Sequence, residues 1–134
     1  MFTGISKHHI PQIWDVVAPM LQKAINKSQK DYSVDDIFNF LMSDDMQLWA
    51  WLEDKKIIAC CISQIVNYPQ RKVCQLPYIA GSGLRRFLEA EEIIIKWAKM
   101  NDCTQLEGCA RDGWLRIMQP RNWFKVWVTI RKDI

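Results

Sequence analysis

The chain has 134 residues, of which 49% are apolar, and it carries a formal charge of +3. This length and composition predict one domain over residues 1–134 that buries its core without disulfides or a structural metal. The five cysteines include no C-x-x-C pair, which argues against a zinc site, and the mild charge falls short of the basic surface that nucleic-acid binding needs.

The apolar runs and the free cysteines also bear on location. The longest uninterrupted apolar run, Ile57–Ile62, is too short to cross a bilayer. An odd number of cysteines without a disulfide pattern is typical of a reducing compartment. The adjacent His8 and His9 lack an acidic or sulfur partner nearby in sequence, so a solvated pair is favoured over a metal site. We therefore expect a cytosolic protein with no membrane partner and no metal.

The first third of the chain is helical by its pattern. Residues 1–9 form a short arm or a short first strand. Apolar residues then recur at helical spacing and predict a helix that begins near Pro11 and runs to Ile25, with Pro19 inside it as a kink. Ser33 begins a second helix, and Asp36 three residues later completes a near capping box.

The pattern changes to extended from Gln47 onward. Three segments rich in β-branched and aromatic residues predict an antiparallel meander, over Gln47–Leu52, Ile57–Val66 and Lys72–Ile79. Both faces of the middle segment are largely apolar. We therefore expect helices to cover both faces of the sheet.

A long amphipathic helix follows, from Leu84 to Lys99. The next short strand, Gln105–Cys109, should lie parallel to the strand before this helix, because strand–helix–strand passages cross over right-handed. A short helix is predicted near Asp112. Val126, Val128 and Ile130 alternate and predict a last strand.

The turn between the third strand and the long helix has residues 80–83, Ala-Gly-Ser-Gly. A turn that delivers a strand into a helix leaves backbone N–H groups unpaired at the positive end of the helix, which is a ready-made anion site. The alternative is that Gly81 and Gly83 only let the chain reverse tightly. The turn by itself favours the tight reversal, because a short glycine-serine turn is a weak signal.

This order of elements is α-α-β-β-β-α-β-α-β, with the option of a short strand in front. Together with the residues of 47–49, 68–72 and 98–99, and above all Ala110–Ile117, it resembles the Gcn5-related N-acetyltransferase (GNAT) fold, in particular a GNAT-like subfamily encoded by bacteriophages. The resemblance spans nearly the whole chain. It implies a mixed α/β domain.

The resemblance also implies acetyl-coenzyme A as the cofactor. Its pyrophosphate would be held by the turn and helix start, which comprise Ile79, Ala80, Gly81, Ser82, Gly83, Leu84, Arg85 and Arg86. The acyl arm would lie where the strand of Gln75–Ile79 separates from that of Leu106–Cys109, at Pro77. With Gly83 on the first glycine of the family's motif, Ala80 stands where glutamine or arginine is usual and Arg85 where a small residue is usual. A register with Gly81 first restores both glycines but puts Tyr78 at the glutamine or arginine position.

Acyl transfer to an amine needs a base and an acid. Glu107 is the candidate base; the alternative is that its carboxylate is solvated or ion-paired. Tyr78 is the candidate acid; the alternative is that it only packs at the end of the strand. Arg111 and Trp114 match the subfamily motif and are candidates for substrate or partner contact. The alternative is that Arg111 caps backbone carbonyls and Trp114 fills the core. A nucleophilic Cys109 is the weakest of these roles, because free cysteines are usually inert.

These residues lead to two main hypotheses. The first is an N-acyltransferase that moves an acetyl group from acetyl-coenzyme A to a primary amine on a small molecule or a protein. The second is a catalytically silent GNAT-like phage protein, a virion component or a module that binds a host protein, and an exposed tryptophan patch or a homodimer contact would favour it. Either would act in the host cytoplasm or, for the second, in the virion. Nucleic-acid binding ranks below both.

Overall fold

The computed structural model describes residues 1–81 and 84–134 of the protein. Two short 3-10 helices cover Lys7–His9 and Gln119–Arg121. The strands and helices, in chain order, are β1 (Phe2–Ile5), α1 (Ile10–Asn26), α2 (Val34–Met42), β2 (Gln47–Glu53), β3 (Lys56–Tyr68), β4 (Arg71–Gly81), α3 (Leu84–Met100), β5 (Gln105–Glu107) and α4 (Asp112–Met118).

The first two helices begin where the sequence predicts. Pro11 lies in the first turn of α1, where its missing N–H has no helical partner to lose, and the helix runs on through Pro19. Ser33 caps α2 because its hydroxyl accepts a bond from the Asp36 N–H at 3.1 Å, while the Asp36 carboxylate accepts from the Ser33 N–H at 2.8 Å. The bond from the Ser33 N–H is the largest cause that lowers the pKa of Asp36, and the Ser33 side chain lowers it further, so the charged form is stabilised at the helix start.

The sheet has five strands in the order β1-β2-β3-β4-β5. The pairs from β1 to β4 are antiparallel, and β5 joins β4 in parallel after the crossover through α3. The short N-terminal strand, the meander and the parallel strand are all confirmed. The mixed α/β fold class is confirmed with them.

Apolar residues pack on both faces of this sheet, as the apolar middle strand predicts. On one face, α1 and α2 cover a cluster that includes Val17, Leu21, Ile37 and Ile62. On the other face, α3 and α4 cover a second cluster. Its members are Trp49, Trp51, Ala59, Cys61, Cys74, Leu76, Phe87, Ala90, Ile94, Ala98, Cys103 and Met118.

A β-bulge interrupts β4. Ile62 pairs with Tyr78 and Gln64 with Gln75, so β4 uses two residues, Leu76 and Pro77, opposite the single Ser63. An extra residue reverses the side-chain alternation beyond it. Before the bulge, Gln75 points toward α1 and α2, and after it Tyr78 points to that same face. The bulge therefore puts two polar side chains three positions apart on one side of the sheet.

The predicted last strand is wrong. Residues 122–134 form no helix or strand, and the apolar side chains from Phe124 to Ile130 are exposed. The alternating pattern is a strand pattern, but a strand forms only when a neighbouring edge supplies its hydrogen bonds. In this structure no edge of the described chain does so.

Candidate functional site

The candidate site lies where β4 and β5 part. The strands share three pairs, and the last joins Gln75 to Glu107. β4 then continues to Gly81, so Leu76–Gly81 have no strand partner on the β5 side among the described residues. Pro77, in this stretch, has no N–H to donate. The separation therefore includes Pro77, as the resemblance implies, but it begins only after Gln75 and Glu107, which are still paired. It opens toward the start of α3.

Gly81 closes β4 at a position that only glycine fits. Its φ is +94°, and an ideal Cβ there would lie 2.7 Å from both the Ala59 Cα and the Ile58 carbonyl oxygen. The close approach of the β3 backbone thus explains Gly81 without a ligand. Ser82 and Gly83 are also predicted to bind the cofactor, but they lie outside the described residues.

The first turn of α3 presents backbone N–H groups and positive charge at the same end. The helix begins at Leu84, and its first four N–H groups have no intrahelical acceptor. Arg85 is exposed. Arg86 is half-buried and its guanidinium lies 3.9 Å from the Glu53 carboxylate at the end of β2, so it leans away from the gap between β4 and β5. Arg85 is therefore the better placed of the two arginines for an anion in that gap.

Three polar side chains meet on the α1/α2 side of the sheet, beside the last β4–β5 pair. The Glu107 carboxylate accepts a bond from the Tyr68 hydroxyl at 3.0 Å and one from the Gln75 amide at 3.3 Å. The hydrogen bond to the Glu107 carboxylate is the largest cause that raises the pKa of Tyr68, and burial raises it further. The phenol therefore stays protonated at neutral pH and holds one oxygen of the carboxylate in place.

Tyr78 lies on the same face, further along β4. It is buried, and its ring makes an edge contact with Tyr32 at a centroid distance of 6.4 Å. Burial is the main cause that raises the pKa of Tyr78. The side chain thus keeps its proton at neutral pH, which a proton donor requires and which a packed tyrosine shows as well.

The other candidates lie beyond β5. Arg111 precedes the first turn of α4 and is exposed, and Trp114 in that turn is half-buried. Met118 at the end of α4 belongs to the α3-side cluster, so this helix packs on the face opposite Glu107. Cys109 is exposed at the open end of β5.

Sequence reasoning missed Tyr68 and Gln75. Tyr68 ends β3 and lies 39 residues from Glu107 in sequence, and only the registers of β3 with β4 and of β4 with β5 bring the two together. A signal existed in the alternation, because Tyr68 and Gln75 occupy one face of a hairpin whose turn the sequence predicts. The sequence could not predict the register of the parallel strand β5, which adds Glu107 to this face.

Comparison with solved structures finds similar architectures in proteins that include acetyltransferases. Over the whole chain it is similar to a probable acetyltransferase at 14% identity and a TM-score of 0.71, covering 99% of that chain. It is similar to a ribosomal-protein-alanine N-acetyltransferase from Brucella melitensis biovar Abortus 2308 at 11% identity and a TM-score of 0.72, again covering 99%. An aminoglycoside acetyltransferase from an uncultured soil metagenomic sample gives 9% identity and a TM-score of 0.74, covering 95%. The chain therefore has the GNAT-like fold.

At the level of sequence, no protein-family model and no curated protein matches the chain. Within residues 1–81 and 84–134, none of the helices has the length and apolar character needed to cross a membrane. The same residues contain no cluster of three or more histidine, cysteine or acidic side chains that could hold a metal ion.

Proposed function

We propose that this protein is an N-acyltransferase that moves an acetyl group from acetyl-coenzyme A to a primary amine. One observation carries the proposal. The parallel pairing of β4 and β5 stops at Gln75 and Glu107, immediately after which a bulge bends β4, and the opened edge leads to the start of α3. The similarity to solved acetyltransferases supports this assignment at the level of fold.

The residues present fit acetyl-coenzyme A. The opened edge of β4 offers unpaired backbone groups to the acyl arm, and the first turn of α3 contains no acidic residue. Arg86 lies beside the Glu53 carboxylate, but the exposed Arg85 in the first turn opposes the helix dipole unless an anion lies nearby. Phosphates would supply that anion at the N–H groups of Leu84, Arg85 and Arg86, and the exposed Arg85 side chain would add a charge-assisted contact.

Acetyl-coenzyme A supplies the activated acetyl thioester. Glu107 takes a proton from the amine, and the Tyr68 and Gln75 donors fix the orientation of its carboxylate. The buried Tyr78 hydroxyl holds the proton that the leaving thiolate requires. Because Gln75, Tyr78 and Glu107 share one face of the sheet, the amine enters from the α1/α2 side.

The alternative is a GNAT-like protein without catalysis. Ala80, where the family has a side-chain donor, and the exposed apolar residues after Trp123 favour it. The bacteriophage origin and the host-cell or virion location stay predictions from the sequence resemblance. Coenzyme A binding separates the two functions.

Acetyl-coenzyme A should stabilise the protein against heat. At 100 times its dissociation constant a ligand adds about 2.7 kcal/mol, which raises the melting temperature by several degrees in a domain of this size. The Arg85→Glu variant should lose most of this shift. Lys96→Glu makes the same change of charge on an exposed position about 16 Å along α3 and should keep it. An unmoved melting temperature in the unaltered protein would leave only the noncatalytic function.

Catalysis is tested separately by the release of free thiol from acetyl-coenzyme A in the presence of a panel of primary amines. Glu107→Gln should lower kcat/KM by about 10²- to 10⁴-fold, because it removes the base. The same variant should retain the thermal shift with acetyl-coenzyme A. Retained shift and unchanged turnover together would show that another group takes the proton.

A further inference from the structure

A guanidinium from the end of the chain lies on a carboxylate in the connection between α1 and α2. Arg131 donates to Asp31 twice, from Nη1 to one carboxylate oxygen at 3.0 Å and from Nη2 to the other at 3.3 Å. The two residues are 100 positions apart in sequence. Two bonds between a guanidinium and the two oxygens of one carboxylate are the geometry in which a carboxylate recognises a planar cation. Asp31 thus has room for a cationic group.

Asp31 lies beside the ring that borders the candidate acid. The next residue, Tyr32, makes its edge contact with Tyr78 of β4 at a centroid distance of 6.4 Å. Burial is the main cause that raises the pKa of Tyr78, and the negative charge of Asp31 raises it further. A cation bound at Asp31 therefore lies within electrostatic reach of Tyr78, on the α1/α2 side of the sheet.

The contact between Arg131 and Asp31 is easily exchanged for another cation. The side chains of Arg131 and Asp31 are 58% and 46% exposed. Exposed ion pairs of this kind change an equilibrium constant by about fivefold at most. The apolar side chains of Phe124–Ile130 are between 64% and 91% exposed, so their burial does not hold Arg131 in place either. A dissolved cation can therefore compete with Arg131 for the carboxylate.

We propose that Asp31 binds a second positive charge of the acceptor amine, and that Arg131 occupies this position until such an amine displaces it. The inference rests on the proposed function and names its substrate class, which is amines with two cationic groups. The reacting amine gives up its proton to Glu107 and loses its charge. A positive charge that persists through the reaction must therefore come from a second group of the same molecule. Nearby, the Asp36 carboxylate is already held by the Ser33 N–H at the start of α2.

The first test compares acetyl transfer to α,ω-diamines of two to six carbons with transfer to the amino alcohols of equal length, in which a neutral hydroxyl replaces the second ammonium. We expect kcat/KM to favour the diamine by about fivefold for at least one length. Asp31→Asn should abolish this preference. The matched control is Asp44→Asn, because Asp44 is an exposed carboxylate that pairs with Lys7 at 2.7 Å, and this variant should keep it. Equal kcat/KM for every pair, or a preference that survives Asp31→Asn, would overturn the inference.

The second test removes the internal competitor. Arg131→Ala should lower KM for the preferred diamine by up to about fivefold, with little change in kcat, because it frees the carboxylate without touching the reacting groups. In the Asp31→Asn background the same substitution should have no effect on KM. An equal effect of Arg131→Ala in both backgrounds would show that Arg131 acts elsewhere.

A binding measurement separates this inference from the proposed function. The same diamines are titrated, without acetyl-coenzyme A, into the ¹⁵N-labelled full chain, and the backbone N–H signals of Asp31 and Tyr32 are followed by NMR. They should shift to saturation in the unaltered protein, and a much higher diamine concentration should be needed in Asp31→Asn. Binding without turnover of any amine would overturn the acyltransferase function and support the cation site. Unmoved signals in the unaltered protein would overturn the cation site, whatever the turnover.

Discussion

Two glycines, one at the end of β4 and one in α4, differ in the space around their Cα atoms. Gly81 lies against the β3 backbone with a positive φ, whereas Gly113 in α4 has no atom within 4 Å of the place where its Cβ would be. The two glycines therefore respond to the same substitution in opposite ways.

Gly81→Ala should destabilise the protein by about 2 kcal/mol or more, because a Cβ disfavours this left-handed conformation and collides with the Ala59 backbone. Gly113→Ala should raise stability by about 0.5–1 kcal/mol, because alanine is the better helix former. Urea unfolding followed by circular dichroism measures both. Equal effects of the two substitutions on the free energy of unfolding would show that a Cβ at Gly81 does not collide with the β3 backbone.

Tyr68 reports on the charge of Glu107. Its pKa is raised first by the hydrogen bond to that carboxylate, so Glu107→Gln should lower the pKa toward the ordinary value of 10.0. The protonated hydroxyl makes this bond, so its contribution is present at neutral pH and is lost as the pH rises through the pKa of the folded protein. Phenolate absorbance during a pH titration measures the shift, and Tyr68→Phe identifies the transition. Coincident curves for the parent and Glu107→Gln would contradict the contact.

At the scale of elements, a buried carboxylate ties α3 to the end of the fold. Glu91 is buried on α3 and accepts bonds from Arg121 Nε at 2.9 Å and from the Trp123 indole. The Trp123 ring also makes an edge contact with Phe87. These contacts hold the 3-10 helix after α4 against α3, so the segment that follows leaves from a fixed point.

Arg121→Ala should destabilise the protein by about 2–4 kcal/mol, because it leaves the buried Glu91 carboxylate without its positive partner. Arg131→Ala removes a guanidinium from the exposed Asp31 carboxylate and should change stability by less than about 1 kcal/mol. Urea unfolding of the two variants, each compared with the unaltered protein, gives the difference. A larger effect at Arg131 would contradict this ranking.

At the scale of the whole molecule, two apolar layers on opposite faces of one sheet shield four of the five thiols from solvent. Cys60, Cys61, Cys74 and Cys103 are buried, and Cys109 is exposed. Burial raises the pKa of Cys60 and of Cys74 to about 12 and raises those of Cys61 and Cys103 as well. These thiols stay protonated at neutral pH and are therefore unreactive.

In the Cys109→Ser variant, no thiol should react with a colorimetric disulfide reagent before the protein unfolds, and four should react in denaturant. The reaction rate should follow global unfolding, because the four thiols lie in the two cores or beside them. Fast reaction of even one thiol in the folded variant would show that a layer opens locally.

Local patterns in the sequence determined the elements up to α4. Helical periodicity, the Ser33–Asp36 cap and the alternation of the meander each act within a few residues, so helices, strands and fold class followed from the chain alone. The bulge at Leu76–Pro77 opposite Ser63, the meeting of Tyr68 with Glu107 and the pairing of Glu91 with Trp123 depend on residues 13 to 39 positions apart. Only the tertiary structure decided these, because a register is set by the packing of whole layers. It also decided that Phe124–Ile130, whose strand pattern is clear, forms no strand, because a strand needs a neighbouring edge and a pattern cannot show whether one is present.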